Sequence, residues 1–531
     1  MSVTTFAAID VGSYEVEMVI YEISTHGIRQ LDHVRHIIAL GRDTYNMKAI
    51  SYDLVDELCE VLYDFVSVMK TYQVSRYRAI ATSAVREAGN SVNIIDRIKM
   101  RTGLKVEILS NSEQRLIMYE AVAAKKEGFG KLIEKGVAMA DVGSGSSQVS
   151  LFDNGSLITT QNVQLGALRV NEIVDGFAKG AASSLAIMEE YMDTEIDVLK
   201  NLFIKERKIE CLIAVGDNIN WFINRIDAEK SNEYYNREEF LEVYHKLYLM
   251  GDFRERYGLS VEQASVIIPS MMIYKKILDV TGAQIMWIPG VRLCDGMAAE
   301  YALKEKKIEV FEHDFTADIV AAARNISKRY SWNKEHVKFV EKNAMAIFDA
   351  TKKLHGLGKR EKLLLQIACI LHDCGQYISM LKPAECSYNL VMSTEIIGLS
   401  HLEREMVANI VKYTTIDWGA GAELKETFTD ETVLTISKLT AIIKVSNALD
   451  RGHKQKFKDT KYVVKERAGP RSSWASRAAP GCGNGCTRSS AAPMRTSSPR
   501  SRTRASATTR RCCSRSSRRR MREDDIPKKR K

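Results

Sequence analysis

The 531-residue chain has no run of about 18 apolar residues, which excludes a membrane-spanning helix. Met1 to Phe6 lacks the basic-then-apolar start of a secretory leader, so a cytoplasmic location and no membrane partner are expected. Proline is scarce: three of the eight lie before Arg467 and five after it. From Arg467 onward there is no Leu, Val, Phe or Tyr, which excludes a packed core there. Cysteine offers little metal chemistry. Cys59, Cys211, Cys294, Cys369, Cys374 and Cys386 show no paired zinc spacing, and Cys482 and Cys486 make at most half a site.

Charge divides at the same boundary. The formal +10 is an average of two unlike pieces: 19 Lys/Arg against 3 Asp/Glu in residues 467–531, and 58 against 64 in residues 1–466. The body is mildly acidic. A basic average is therefore no argument for a specific nucleic-acid partner, and none is expected. Residues 467–531 read as a disordered Arg/Ser-rich tail, with an out-of-frame translation as the hypothesis for its origin; sequencing the coding DNA for a one-base shift that restores a Leu/Val pattern decides the point.

What the body does contain is a repeat. Asp10-Val11-Gly12-Ser13 recurs as Asp141-Val142-Gly143-Ser144, extended by Gly145 and Ser146. Each copy follows an apolar run (Phe6 to Ile9, Val137 to Ala140) and returns on a second one (Val16 to Ile23, Val149 to Phe152), so each reads as strand, Asp, turn, strand. Asp153-Asn154-Gly155-Ser156 marks a hairpin turn. A duplicated unit of this kind implies two similar α/β halves, 1–130 and 131–303. After the linker-like Lys304 to Lys307, residues 312–466 read as nearly all helical, with Ser400-His401-Leu402-Glu403 as a capping box.

Glycines let such turns approach a ligand closely, and their N–H groups and serine hydroxyls form an anion nest. Gly12, Ser13, Gly143, Ser144, Gly145 and Ser146 are therefore candidate phosphate binders. Aspartates at strand ends suit a hard cation such as Mg²⁺, making Asp10 and Asp141 candidate metal ligands. Arg86, in Ala81-Thr82-Ser83-Ala84-Val85-Arg86-Glu87-Ala88, can bridge phosphate oxygens. Glu113, opening a helix at Glu113-Gln114-Arg115-Leu116-Ile117, is a candidate general base.

These blocks, in this order and followed by Leu165-Gly166-Ala167-Leu168-Arg169, resemble the exopolyphosphatase / guanosine pentaphosphate phosphohydrolase family over residues 1 to about 303. The resemblance implies an actin-like ATPase fold of two ribonuclease-H-like halves. It implies release of the terminal phosphate of inorganic polyphosphate or guanosine pentaphosphate, with Glu113 assisting water, Asp10 and Asp141 placing Mg²⁺, and a homodimer. Three departures stand out: Gln148 where the family usually has glutamate, Tyr14-Glu15 in place of Asn-Ser, and Ser144 in place of glycine. They support an alternative, a weak or inactive polyphosphate- or alarmone-binding regulator. A sugar-kinase-like phosphotransferase is the third reading, and it lacks a phosphoacceptor signature.

The helical region resembles an HD phosphohydrolase domain through His336 and His372-Asp373. That resemblance implies a possible second metal site of His336, His372, Asp373 and Asp450, with Asn447 where the last metal-binding Asp is expected.

Overall fold

The computed structural model describes residues 3–125, 128–177, 184–226, 233–249, 253–306, 313–330, 333–416, 421–457, 460–465 and 473–478. The repeat is visible in the sheets. In the first, β1 (Thr4–Val11), β2 (Glu15–Ser24), β3 (Gly27–Ile37), β4 (Arg76–Ala81) and β5 (Val106–Ile108) lie in the order β3-β2-β1-β4-β5. In the second, β6 (Val137–Val142), β7 (Ser147–Asp153), β8 (Ser156–Val163), β9 (Cys211–Val215), β10 (Tyr234–Asn236) and β11 (Ile285–Trp287) lie in the order β10-β11-β9-β6-β7-β8. Apart from the extra edge strand β10, the two orders are the same. In both, three antiparallel strands continue into parallel ones.

The central strands are apolar on both faces because helices cover both. Every residue of β6 is buried. The β7–β8 turn forms as its sequence dictates, with Asn154 at φ 51° and Gly155 at φ 71°. The helix Tyr52–Thr71 buries Val55, Leu58, Cys59, Leu62, Phe65 and Met69, a stripe at three- and four-residue spacing.

In space the halves do not end where the sequence suggests. The helix Leu293–Lys304 crosses back onto the first sheet. There the Tyr21 hydroxyl donates to Asp295 at 2.6 Å, and Phe6 stacks on Tyr301 at 4.5 Å. This return brings Arg292 to the wall between the halves.

The helical region is built from Phe315–Tyr330, Lys334–Ala350, Lys359–Leu371, Pro383–Ser393, His401–Thr415 and Asp430–Ala448. The capping box at Ser400 and Glu403 forms as expected. Buried Asp318 ties this region to both halves, accepting from the Leu157 N–H of the second at 3.0 Å and from the Tyr119 hydroxyl of the first at 2.6 Å.

One expectation is corrected. β12 (Thr460–Lys465) pairs antiparallel with β13 (Ser473–Ala478), so the disorder expected from 467 does not hold for 473–478. Strand pairing uses backbone N–H and C=O groups and needs no apolar core of its own. Residues 467–472 and 479–531, with Cys482 and Cys486, lie outside the described residues.

Candidate active site

Asp10 ends β1 and faces Glu17 on β2; Asp141 ends β6 and faces Gln148 on β7. The turns match as well, since Gly12 N–H donates to Glu15 O at 3.0 Å and Gly143 N–H to Ser146 O at 3.1 Å. A Cβ on Gly12 would lie 2.6 Å from that Glu15 oxygen, so the turn requires glycine. Both turns open onto one cavity of about 100 Å³, lined by Asp10, Gly12, Ser13, Asp141, Gly143, Ser144 and Ser146 among others. A water needs about 10–15 Å³ on this measure, so the space holds a phosphoryl group with a few waters.

The cavity is acidic. Asp10, Glu15, Glu17, Asp141 and Asp217 all line it, and among the described residues Arg292 is the one basic residue that does. Burial first, then Glu17, Glu15 and Asp141, pushes the Asp10 carboxyl well above the usual range. Burial lifts Asp141 to about 7, opposed by the charge of Arg115. Asp217 is also raised, by burial and then by Glu17, Glu15 and Asp10. Asp10 Oδ1 is buried with no hydrogen-bond partner among the described residues. A polyanion cannot enter this set of carboxylates unless cations neutralise them. Among the described residues no three His, Cys, Asp or Glu converge as a metal cage. Two aspartates completed by water and phosphate oxygens are the donor set Mg²⁺ usually takes, so the site fits that ion.

Hydroxyl polarity picks out a donor that sequence reasoning missed. Ser13 Oγ accepts from the Tyr45 hydroxyl at 2.9 Å and from the Ala84 N–H at 3.1 Å, so its own proton goes to Ser83 Oγ at 2.8 Å. The Ser83 hydroxyl, which also hydrogen-bonds Tyr45, lines the cavity and can donate either to that phenol oxygen or into the cavity.

The sequence pattern of the Ppx/GppA phosphatase family matches residues 19–305, and that of its domain III matches residues 320–474. The chain belongs to the Ppx/GppA phosphatase family. A guanosine-5'-triphosphate,3'-diphosphate pyrophosphatase from Photobacterium profundum is 20% identical over 421 residues, 77% of this chain and 80% of that protein. Among solved structures, an exopolyphosphatase from Cytophaga hutchinsonii shares the fold at 18% identity and a TM-score of 0.50, over 57% of this chain and 98% of its own. A Ppx/GppA member from Aquifex aeolicus is 19% identical with a TM-score of 0.47, over 57% and 99% of the two chains.

Not every expected residue of this Ppx/GppA chain reaches the cavity. Arg86 does not line it; its guanidinium donates to Leu109 O at 2.8 Å and to Asn111 Oδ1. Glu113 is also absent from the lining. Its carboxylate accepts the Ser110 N–H at 2.9 Å while its own N–H donates to Ser110 Oγ at 3.1 Å, a capping box. Gln114 lines the cavity instead. Gly145 lies behind the wall, where a Cβ would collide with the Tyr45 hydroxyl and the Ser83 side chain. Arg169 is structural: it donates to Gly145 O at 2.5 Å and to both oxygens of Glu87 at 2.7 and 2.8 Å, tying the second turn to the first half. Asp217 and Arg292 were also missed. Gly216 follows the strand Cys211–Val215 and Asp217 opens the helix Asp217–Ile226, a strand end without the Asp-x-Gly wording of the two turns.

In the helical region the expected metal set gathers without forming a metal cage. His336 engages Asp450 Oδ2 at 2.9 Å and Asn447 Oδ1 at 3.1 Å, so both of its ring nitrogens are used, and it stacks on His453 at 3.9 Å. His372 Nδ1 contacts Cys369 O at 2.8 Å, and its ring lies 5.4 Å from His336.

Two predictions follow from these contacts. Gly145→Ala should weaken tripolyphosphate binding about tenfold and lower stability by about 1–3 kcal/mol, because overpacking displaces Tyr45 and Ser83; unchanged binding by calorimetry contradicts the hydroxyl assignment. Burial lowers the His372 imidazole to about 4, against about 6.5 unfolded. Between those values the unfolded chain binds the extra proton, so stability falls as pH drops from 6.5 toward 4. Urea midpoints should show a loss from pH 7 to pH 5 that is about 2 kcal/mol greater in the wild type than in His372→Gln.

Proposed function

We propose that the chain is a phosphohydrolase acting on phosphoanhydride bonds, releasing the terminal phosphate of inorganic polyphosphate or of a guanosine pentaphosphate. The observation that carries this reading is the pair of Asp-bearing turns opening on one small acidic cavity. The names of the Photobacterium and Cytophaga relatives support the two substrate classes. Asp10 and Asp141 would hold Mg²⁺, which when bound draws charge off the phosphoryl oxygens. The turn amides and the Ser83 hydroxyl donate to those oxygens, and Arg292 adds a fixed positive charge. Phosphoryl transfer through a loose transition state asks chiefly for a positioned water and neutralised oxygens. Gln114, on the cavity wall, can orient that water through its amide. Glu113 is held on Ser110 through Oε2, and Oε1 is the oxygen through which it would act as base. A cytoplasmic location and, from the resemblance, a homodimer belong to the same reading.

The second reading, a polyphosphate- or alarmone-binding regulator with little turnover, draws on one specific observation. Amides, at Gln114 and Gln148, stand on the wall while Glu113 is spent on the helix end.

Phosphate release from long-chain polyphosphate and from guanosine pentaphosphate with Mg²⁺ separates the two readings. Slow release is expected, and Asp141→Asn should reduce it at least about 100-fold. Glu113→Gln should leave release within about threefold and lower stability by about 1 kcal/mol through loss of the cap. If Glu113→Gln abolishes release at unchanged stability, Glu113 is the base after all. If the wild type binds tightly and releases nothing, the regulator reading stands.

A further inference from the structure

The helical region meets the wall of the cavity through the segment that carries Glu395. The segment 394–399, between the helices Pro383–Ser393 and His401–Thr415, is pinned to the start of the helix Asn111–Lys125. Gly398 N–H donates to Ser112 O at 2.8 Å, and Ser110 Oγ donates to Leu399 O at 2.9 Å. Glu395 then spends both oxygens on that helix, accepting from Asn111 Nδ2 at 3.1 Å and from Arg115 Nη2 at 2.8 Å. Arg115 is only 1% exposed, and its Nε donates to Gln148 Oε1 at 3.1 Å. Since a guanidinium only donates, the oxygen of the Gln148 amide must face it, and the NH₂ group is turned the other way, toward the cavity that Gln148 lines.

We propose that Glu395 is a positioning residue for the phosphate site: it holds Arg115, Arg115 fixes Gln148, and the Gln148 amide donates to an oxygen of the terminal phosphoryl group. This deepens the functional reading above and rests on it. Glu17 marks the matching position in the first half and keeps a carboxylate there. In the second half the carboxylate is displaced outward, onto the helical region, and an anion acceptor has become an anion donor. The buried Arg115 takes its nearest counter-charge from the docked helical region, with Asp141 as a second carboxylate acting on it.

The test is a cycle of Glu395→Gln and Gln148→Glu in the full chain, read by tripolyphosphate binding with Mg²⁺ and by the split between KM and kcat. In the wild-type background Glu395→Gln should weaken binding and raise KM about tenfold, with kcat changed less than threefold. In the Gln148→Glu background, where position 148 itself supplies the carboxylate for Arg115, Glu395→Gln should change binding less than twofold. Equal losses in both backgrounds would make Glu395 a mere docking residue and overturn the proposal, as would no loss from Glu395→Gln in a wild type that binds. If Glu395→Gln does not fold, Gln148→Ala takes its place: a tenfold loss of binding is expected, and unchanged binding overturns the proposal. A wild type that neither binds nor hydrolyses defeats the functional reading first, and this proposal with it.

Discussion

Five carboxylates around one small cavity are the constraint on which the rest depends. Burying so many like charges is unfavourable, and the raised carboxyls of Asp10, Asp141 and Asp217 register that cost. The fold tolerates them because the duplicated turns are fixed from outside. Tyr45 and Ser83 brace the first, and Arg169 ties the second to Glu87 across the cleft. A cavity of this charge is poised for cations and, through them, for phosphate. That is the physical link between two repeated tetrapeptides and membership in a phosphatase family.

The helical region is part of this arrangement. Its Glu395 neutralises a buried arginine of the first half, and Asp318 bonds to the second. The expected HD-type metal set gathers as a histidine cluster in which His336 stacks on His453 and has both ring nitrogens engaged, while His372 Nε2 is buried with no hydrogen-bond partner among the described residues.

Much of the fold was legible in the chain. The Asp-x-Gly-Ser repeat, the apolar runs around it and the Asn154-Gly155 turn specify the duplicated sheets through local rules. The helix Leu293–Lys304 was not legible as a return to the first sheet, because nothing local in its sequence encodes which sheet it covers. Asp10, Asp141 and the turn residues were found because strand ends and glycines carry their geometry with them. Arg86 and Glu113 were expected in the cavity because residue type suggested chemistry. Their actual partners, Leu109 O, Asn111 and Ser110, depend on side-chain direction, which spacing does not reveal. Ser83, Asp217 and Arg292 were missed for the same reason: each is ordinary in sequence and becomes functional only through where its neighbours turn it.

The central claim is that this acidic cavity accepts a phosphoanhydride only together with a divalent cation. Calorimetric titration of tripolyphosphate into the full chain, in Mg²⁺ and then in EDTA, tests it most directly. Binding in Mg²⁺ that disappears in EDTA, and is lost in both conditions on Asp10→Asn, is the result predicted. Equal affinity with and without the cation would contradict it.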